Sequence, residues 1–287
     1  MKQLLLFFVF GLFFVSSVKS QRLSIDVMPG MINYAGDLQP RRFTFVEARP
    51  AIQVGINYNL NDNFYIRADY LSATVHADDK KSSLFYGPTR NLNFTSIIKE
   101  GSISVEYDIF KLNIGKKWTP YVFGGIGYFH FDPYTFDTLG HKVYLPPLST
   151  EGEGLPQYPN RKPYALYQFN LLGGMGAKFA VGERFSVGFE VCVRHLFTDY
   201  LDDVSTTYID KNILLAERGA EAAELAFRAN ERNPALQYPA AGTPRGNPSQ
   251  NDAYYTLLLR FTYRFGGGGE GFIFHNKKSM ACPKNVL

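Results

Sequence analysis

The chain is poor in cysteine, with 2 in 287 residues. That excludes a disulfide framework and any cysteine-rich zinc module. It has little charge imbalance, 30 Lys+Arg against 26 Asp+Glu for a formal net charge of +4. So small an excess argues against nucleic acid as a partner. It has one Trp. Beyond its first fifteen residues it has no apolar run of the length a membrane helix needs, about 18 residues or more. What is abundant is Phe (25), Tyr (19) and Gly (26). Aromatics at this level, with glycine, are a composition of strands rather than helices.

The first residues read as an address. Lys2 precedes the apolar stretch Leu4 to Val15, and Ser16, Ser17, Val18, Lys19 and Ser20 follow it. A secretory signal peptide over 1–20 is expected, cut near Ser20 and Gln21. The stretch is short for a transmembrane anchor. The rest of the chain is then exported into an oxidising compartment.

Period-2 alternation recurs along the chain. Tyr255, Leu257, Leu259, Phe261, Tyr263 and Phe265 share one face of a segment, and Tyr254, Thr256, Leu258, Arg260, Thr262 and Arg264 share the other. Eight such segments are expected, near 22–34, 48–60, 64–76, 98–110, 116–130, 165–180, 184–198 and 253–265. A tilted strand of about 9–11 residues crosses a bilayer. The connections alternate between short turns (61–63, 111–115, 181–183) and long loops (35–47, 77–97, 131–164, 199–252). Short turns on one side and long loops on the other are the pattern of an outer-membrane barrel. The expected fold is therefore all-β: an eight-stranded antiparallel transmembrane barrel over 21–265, with long extracellular loops. Its apolar face meets outer-membrane lipids, and both termini lie on the periplasmic side. Residues 266–287 follow as a Gly-rich tether and tail.

An eight-stranded barrel has room inside only for side chains. The inward faces carry Arg67, Asp69, Glu106, Asp108, Glu190, Arg194, Arg260 and Arg264. Opposite charges in so narrow a space should pair, because a lone buried charge is costly. A charge network that plugs the lumen and fixes register is expected; an ion or proton path is the poorer alternative. Among the five His, His195 lies near Asp199 and Ser205 in sequence, but neither a positioned nucleophile nor an oxyanion hole is visible. No enzyme activity, cofactor or metal is expected.

The long loops carry the distinctive sequence. Loop 3 contains Ser149-Thr150-Glu151-Gly152-Glu153-Gly154. Loop 4 opens with Phe197-Thr198-Asp199-Tyr200-Leu201-Asp202-Asp203-Val204-Ser205-Thr206 and closes with Arg245-Gly246-Asn247-Pro248. Between them, Lys211 to Arg232 should form one or two short helices broken at Gly219. Asp199, Asp202 and Asp203 are the kind of cluster calcium favours. The preferred reading is a turn whose carboxylates cap backbone N–H groups and pair with an arginine such as Arg245. Past the four glycines from Gly266, the tail holds Phe272-Ile273-Phe274 and Cys282. An apolar cluster on a leash suits docking to a partner; a frayed terminus is the alternative. Cys282 is expected to bond a periplasmic partner, with a free thiol or a bridge to Cys192 as alternatives.

These blocks, with Asn33-Tyr34-Ala35-Gly36-Asp37-Leu38 near the start and Tyr164-Ala165-Leu166-Tyr167-Gln168 after loop 3, carry a resemblance. The chain resembles the PorG-like outer-membrane barrels of the Bacteroidetes type IX secretion system, over nearly all of its mature length. The resemblance implies a non-enzymatic part in protein secretion and, in some relatives, gliding motility. It also implies contact with a periplasmic ring made by a lipoprotein and its partner. A generic surface barrel that binds an extracellular ligand through its loops is the alternative.

Overall fold

The computed structural model describes residues 22–39, 44–81, 90–112, 116–182 and 184–265. The expected signal peptide, the tether, and Phe272, Ile273, Phe274 and Cys282 lie outside the described residues.

Among the described residues ten strands form: β1 (Leu23–Ala35), β2 (Arg49–Asn59), β3 (Phe64–Asp78), β4 (Asn93–Asp108), β5 (Trp118–His130), β6 (Pro133–Phe136), β7 (Lys142–Tyr144), β8 (Tyr167–Ala180), β9 (Phe185–Leu196) and β10 (Ala253–Arg264). Eight of them close a ring. Each of β1 to β5 and β8 to β10 pairs antiparallel with its neighbour, and β1 pairs with β10 from Ser24–Arg264 to Ala35–Ala253. Closure leaves the ring no open edge, which hydrocarbon requires because it cannot satisfy free N–H and C=O groups.

The alternation read from the sequence sets the two faces. Outside, Ile56, Ile103, Ile126, Met175 and Leu259 are all more than half exposed. Rings gather at both rims of this apolar wall. Phe64 with Tyr107 (4.8 Å), Trp118 with Phe179 (6.4 Å) and Tyr263 with Phe265 (5.5 Å) lie towards the short turns. Tyr128 with Phe169 (4.9 Å) and Tyr167 (6.0 Å) lie towards the long loops. Inside, Arg67, Arg194 and Arg260 are fully buried. An apolar exterior with aromatic girdles around a charged interior is the inverse of a water-soluble protein and the design of a membrane-spanning barrel. No described helix is long and apolar enough to cross a membrane; the crossing is made by strands.

Two expectations need correction. First, β4 starts at Asn93 rather than near 98, because Asn93–Ile97 continue the ladder with Thr74–Asp78 of β3. Second, the loop expected over 131–164 contains two short strands, β6 and β7. β5 ends opposite Lys99, so the upper edge of β4 lacks a partner there, and β6 supplies one through Tyr134–Thr95 and Pro133–Ser96. β7 then folds back on β6.

The helical stretch of loop 4 matches its sequence. Helix α1 (Lys211–Arg218) starts at Asp210, whose side chain accepts from the N–H groups of Asn212 and Ile213. Gly219, at φ 87°, breaks it before α2 (Ala220–Ala226). The loops fold over one mouth of the ring as a cap. Its buried apolar side chains include Leu148, Leu155, Leu201, Val204, Leu214 and Leu225, continuous with Ile32, Phe94 and Phe129 of the barrel.

Candidate functional site

The described residues form two buried polar assemblies, a plug in the barrel and a clasp in the cap. In the plug, Glu106 is the hub. Its carboxylate accepts from Arg67 Nη1 (3.0 Å), Arg260 Nη1 (2.5 Å) and Lys178 Nζ (2.6 Å). Arg67 also donates to Glu190 (2.7 Å) and lies 3.3 Å from Asp69. Arg260 Nε donates to Asp26 (2.9 Å), and Lys178 sits 2.7 Å from Asp108. A second tier lies nearer the cap. Glu100 accepts from Arg194 Nε (2.8 Å), Tyr254 OH (2.5 Å) and Asn170 Nδ2 (2.7 Å). Six strands contribute to the lower tier, so the network ties the ring across its diameter.

Arg67, Asp69, Glu106, Asp108, Glu190, Arg194 and Arg260 thus lie where the sequence put them. Arg264 keeps the inward phase of β10 but sits half-buried at the short-turn rim, where the strand ends. Sequence reading missed Asp26, Glu100 and Lys178. Their positions alternate in phase with inward neighbours, the signal that could have found them. Cys192 is buried beside Tyr121, Phe123 and Leu172, inside the barrel as expected.

The clasp is centred on Glu151. Its carboxylate accepts from Ser205 N (3.0 Å), Thr206 N (2.7 Å), Thr206 Oγ1 (2.6 Å) and Arg245 Nη1 (3.0 Å). Asp203, at φ 64°, accepts from Thr150 Oγ1 and Tyr164 OH, both at 2.6 Å. Its carbonyl accepts from Arg245 Nη1 at 2.5 Å. Asp202 caps the N–H of Val204 (3.0 Å) and accepts from Tyr34 OH (2.5 Å). Asp37 accepts from Asn247 N at 3.0 Å. Arg90 grips Asp79 with two 2.8 Å bonds and reaches the carbonyls of Asp37 and Arg245. Gly246 is needed for this closeness: a Cβ there would lie 2.4 Å from Asp37 Oδ2 and 2.7 Å from Ser205 O.

The sequence segments beginning at Asn33, Thr150, Phe197 and Arg245 therefore meet in one interlocked core. Capping by Asp202 and pairing of Asp203 with Arg245 follow the preferred reading, whereas buried Asp199 caps no backbone N–H among the described residues. Glu151, the centre, had not been paired with Arg245 from sequence, since nothing local links residues so far apart.

The clasp is rich in carboxylates, and burial acts on them. It pushes Asp199 up to about 8, against the Ser205 hydroxyl. It pushes Glu153 up to about 8, reinforced by Asp203 and Glu151. Asp203 is raised to about 6 by burial, opposed by Arg245. Asp202 and Asp252 are raised well above the usual range, again first by burial. Among the described residues, no group of three or more His, Cys, Asp or Glu is arranged to hold a metal ion. His195 is exposed on the barrel exterior while Asp199 and Ser205 are buried in the cap, so the three do not converge.

A family model described as a domain of unknown function (DUF6089) matches residues 2–142, which ends at the first residue of β7. A search of curated proteins returned no match. Among solved structures, Neisserial surface protein A is similar at 8% identity and TM-score 0.41, covering 85% of this chain and 97% of its own. Ail, the attachment invasion locus protein of Yersinia pestis, is similar at 9% identity and TM-score 0.41, covering 85% and 98%. The outer membrane protein OprG from Pseudomonas aeruginosa is similar at 10% identity and TM-score 0.40, covering 86% and 98%. These likenesses concern the barrel; the fold itself rests on the strand pairing described above.

Proposed function

We propose that this chain is a non-enzymatic outer-membrane barrel that anchors or assembles the type IX secretion machinery, with its short turns and tail in the periplasm against a lipoprotein ring. The observation that carries this reading is the pair of seals. The lumen is crossed by the Glu106 network and the outer mouth is covered by the Glu151 clasp, so the barrel is built as a fixed body rather than a conduit. The blocks that carry the PorG-like resemblance supply that clasp. This supports reading them as one architectural unit. Both ends of the described chain lie at the rim of the short turns, because Leu23 pairs with Tyr58 and Ser24 with Arg264. A tail leaving from Phe265 starts on the side where a periplasmic ring would stand.

Affinity isolation from gently solubilised outer membranes tests the proposal. Full-length protein is compared with a chain ended after Gly267, on reducing and non-reducing gels. A co-isolated lipoprotein ring that is lost with the truncation supports the reading and puts the contact in the tail. A ring retained by the shorter chain moves the contact to the short turns. Absence of a ring with both chains sinks it. A second reading, a surface barrel for an extracellular ligand, draws on a groove of about 470 Å³ in the cap, lined by Lys211, Leu215, Ala223, Phe227 and Tyr238. Ligand binding abolished by Phe227→Ala with no ring in either isolate would favour it.

A further inference from the structure

We propose that a depression on the outer wall of the barrel, between β4, β5 and the β6–β7 hairpin, binds the phosphorylated sugar headgroup of an outer-leaflet lipid. This rests on the outer-membrane reading but not on the secretion role. The depression holds about 110 Å³ and is lined by Ile97, Lys99, His130, Asp132, Tyr134, Lys142 and Tyr144. At about 30 Å³ per water in the liquid, that is room for a group of phosphate size.

Its height on the barrel is what selects a lipid. Lys99 faces outward and is paired in register with His130. Both lie one step beyond Tyr128, which belongs to the aromatic girdle on the long-loop side. Below them on the same face come Ile103 and Val105, both exposed on the apolar wall. The site therefore stands where acyl chains give way to headgroups. Two lysines converge there with no carboxylate within salt-bridge distance of either among the described residues. Lys142 Nζ lies over the rings of Tyr134 (3.8 Å) and Tyr144 (4.5 Å) and donates to Tyr144 OH at 2.9 Å. Those contacts hold the ammonium in place beside two aromatic faces. Cations fit a phosphate, and the exposed ring of Tyr144 beside them fits the apolar side of a sugar ring. His130, 4.5 Å from the Tyr167 ring, closes the lower wall. Asp132 is the one group of unfavourable sign; its carboxyl is held above its usual range, first by burial. Ile103, 60% exposed on the same face below Lys99, offers an acyl chain a place to continue downward.

The test uses the full chain in detergent micelles, with diphosphorylated lipid A, its dephosphorylated form, and inorganic phosphate as probes. Native mass spectrometry reads the bound fraction, and heat-modifiable gel migration reads barrel folding. The wild type should retain diphosphorylated lipid A in preference to the dephosphorylated lipid and to free phosphate. Lys99→Gln with Lys142→Gln should weaken it by about tenfold or more, while Asp132→Asn tightens it. Equal retention by wild type and the double lysine variant, both showing the folded migration, overturns the site. So does equal retention of both lipid A forms, or saturation by inorganic phosphate alone. Failure of the wild type to insert into liposomes would instead overturn the membrane reading beneath it.

Discussion

At the scale of single residues, the decisive feature is that buried charges have partners on several strands at once. Glu106 holds three cations, so removing it takes a partner from Arg67, Arg260 and Lys178 at once and leaves each with fewer carboxylates, Glu190 and Asp69, Asp26, and Asp108 respectively. Breaking a buried pair from one side costs about 3–5 kcal/mol. Glu106→Ala should lower barrel stability by at least that much, read as a fall in the urea midpoint in detergent. Glu151→Gln acts differently. It leaves the shape but removes the charge facing Arg245, so the cap should loosen while the barrel stays closed. Limited proteolysis should then cut within 131–166 or 197–252, with folded migration retained. A variant as resistant as the wild type would deny Glu151 its central role. The sequence showed that the plug had to exist, because period-2 alternation placed charges on an inward face. It could not show that Glu151 meets Arg245, since that contact depends on how two loops fold over the same mouth.

At the scale of elements, the barrel strands were legible because lipid on one side and a packed lumen on the other enforce strict alternation. Where that constraint ends, legibility ends too. The upper part of β4 and the β6–β7 hairpin stand above the girdle, and there Pro133 and Thr135 read as loop. The α1–α2 break was legible because Gly219 marks it locally. Two expectations follow for these elements. Met175 is 64% exposed on the wall of β8. Met175→Arg should cost about 2–4 kcal/mol if it lies near the bilayer midplane, measured by reversible unfolding from liposomes. The cap should lose stability as pH rises. Asp199 and Glu153 are harder to ionise in the folded cap, each pushed up to about 8. The folded cap thus holds protons that an open cap releases. Their contribution to stability is full below about pH 4 and is lost as pH rises through about 8. Hydrogen exchange across 197–210 should be slower at pH 5 than at pH 9 after correction for intrinsic rates. Asp199→Asn should flatten that difference; an unchanged slope would assign it elsewhere.

At the scale of the whole molecule, the two seals predict electrical silence. Reconstituted in a planar bilayer, the full chain should show no stepwise conductance. A Glu151→Gln chain should remain silent too, because the lower plug persists when the cap loosens. Steady open-channel steps from the wild type would contradict the seal. The β1–β10 seam carries one further consequence, in time rather than in space. It joins the first described strand to the last, from Ser24–Arg264 to Ala35–Ala253. Every other wall pairing joins strands consecutive in the ring, but this one waits until β10 is available. Such a non-local contact carries the loop-closure entropy of the whole stretch between β1 and β10 and slows folding. Until β10 arrives, the growing sheet has two sticky margins and needs shelter from other chains. The cylinder is finished by Ala253–Arg264, and a chain cut short before them leaves an unclosed sheet rather than a smaller barrel.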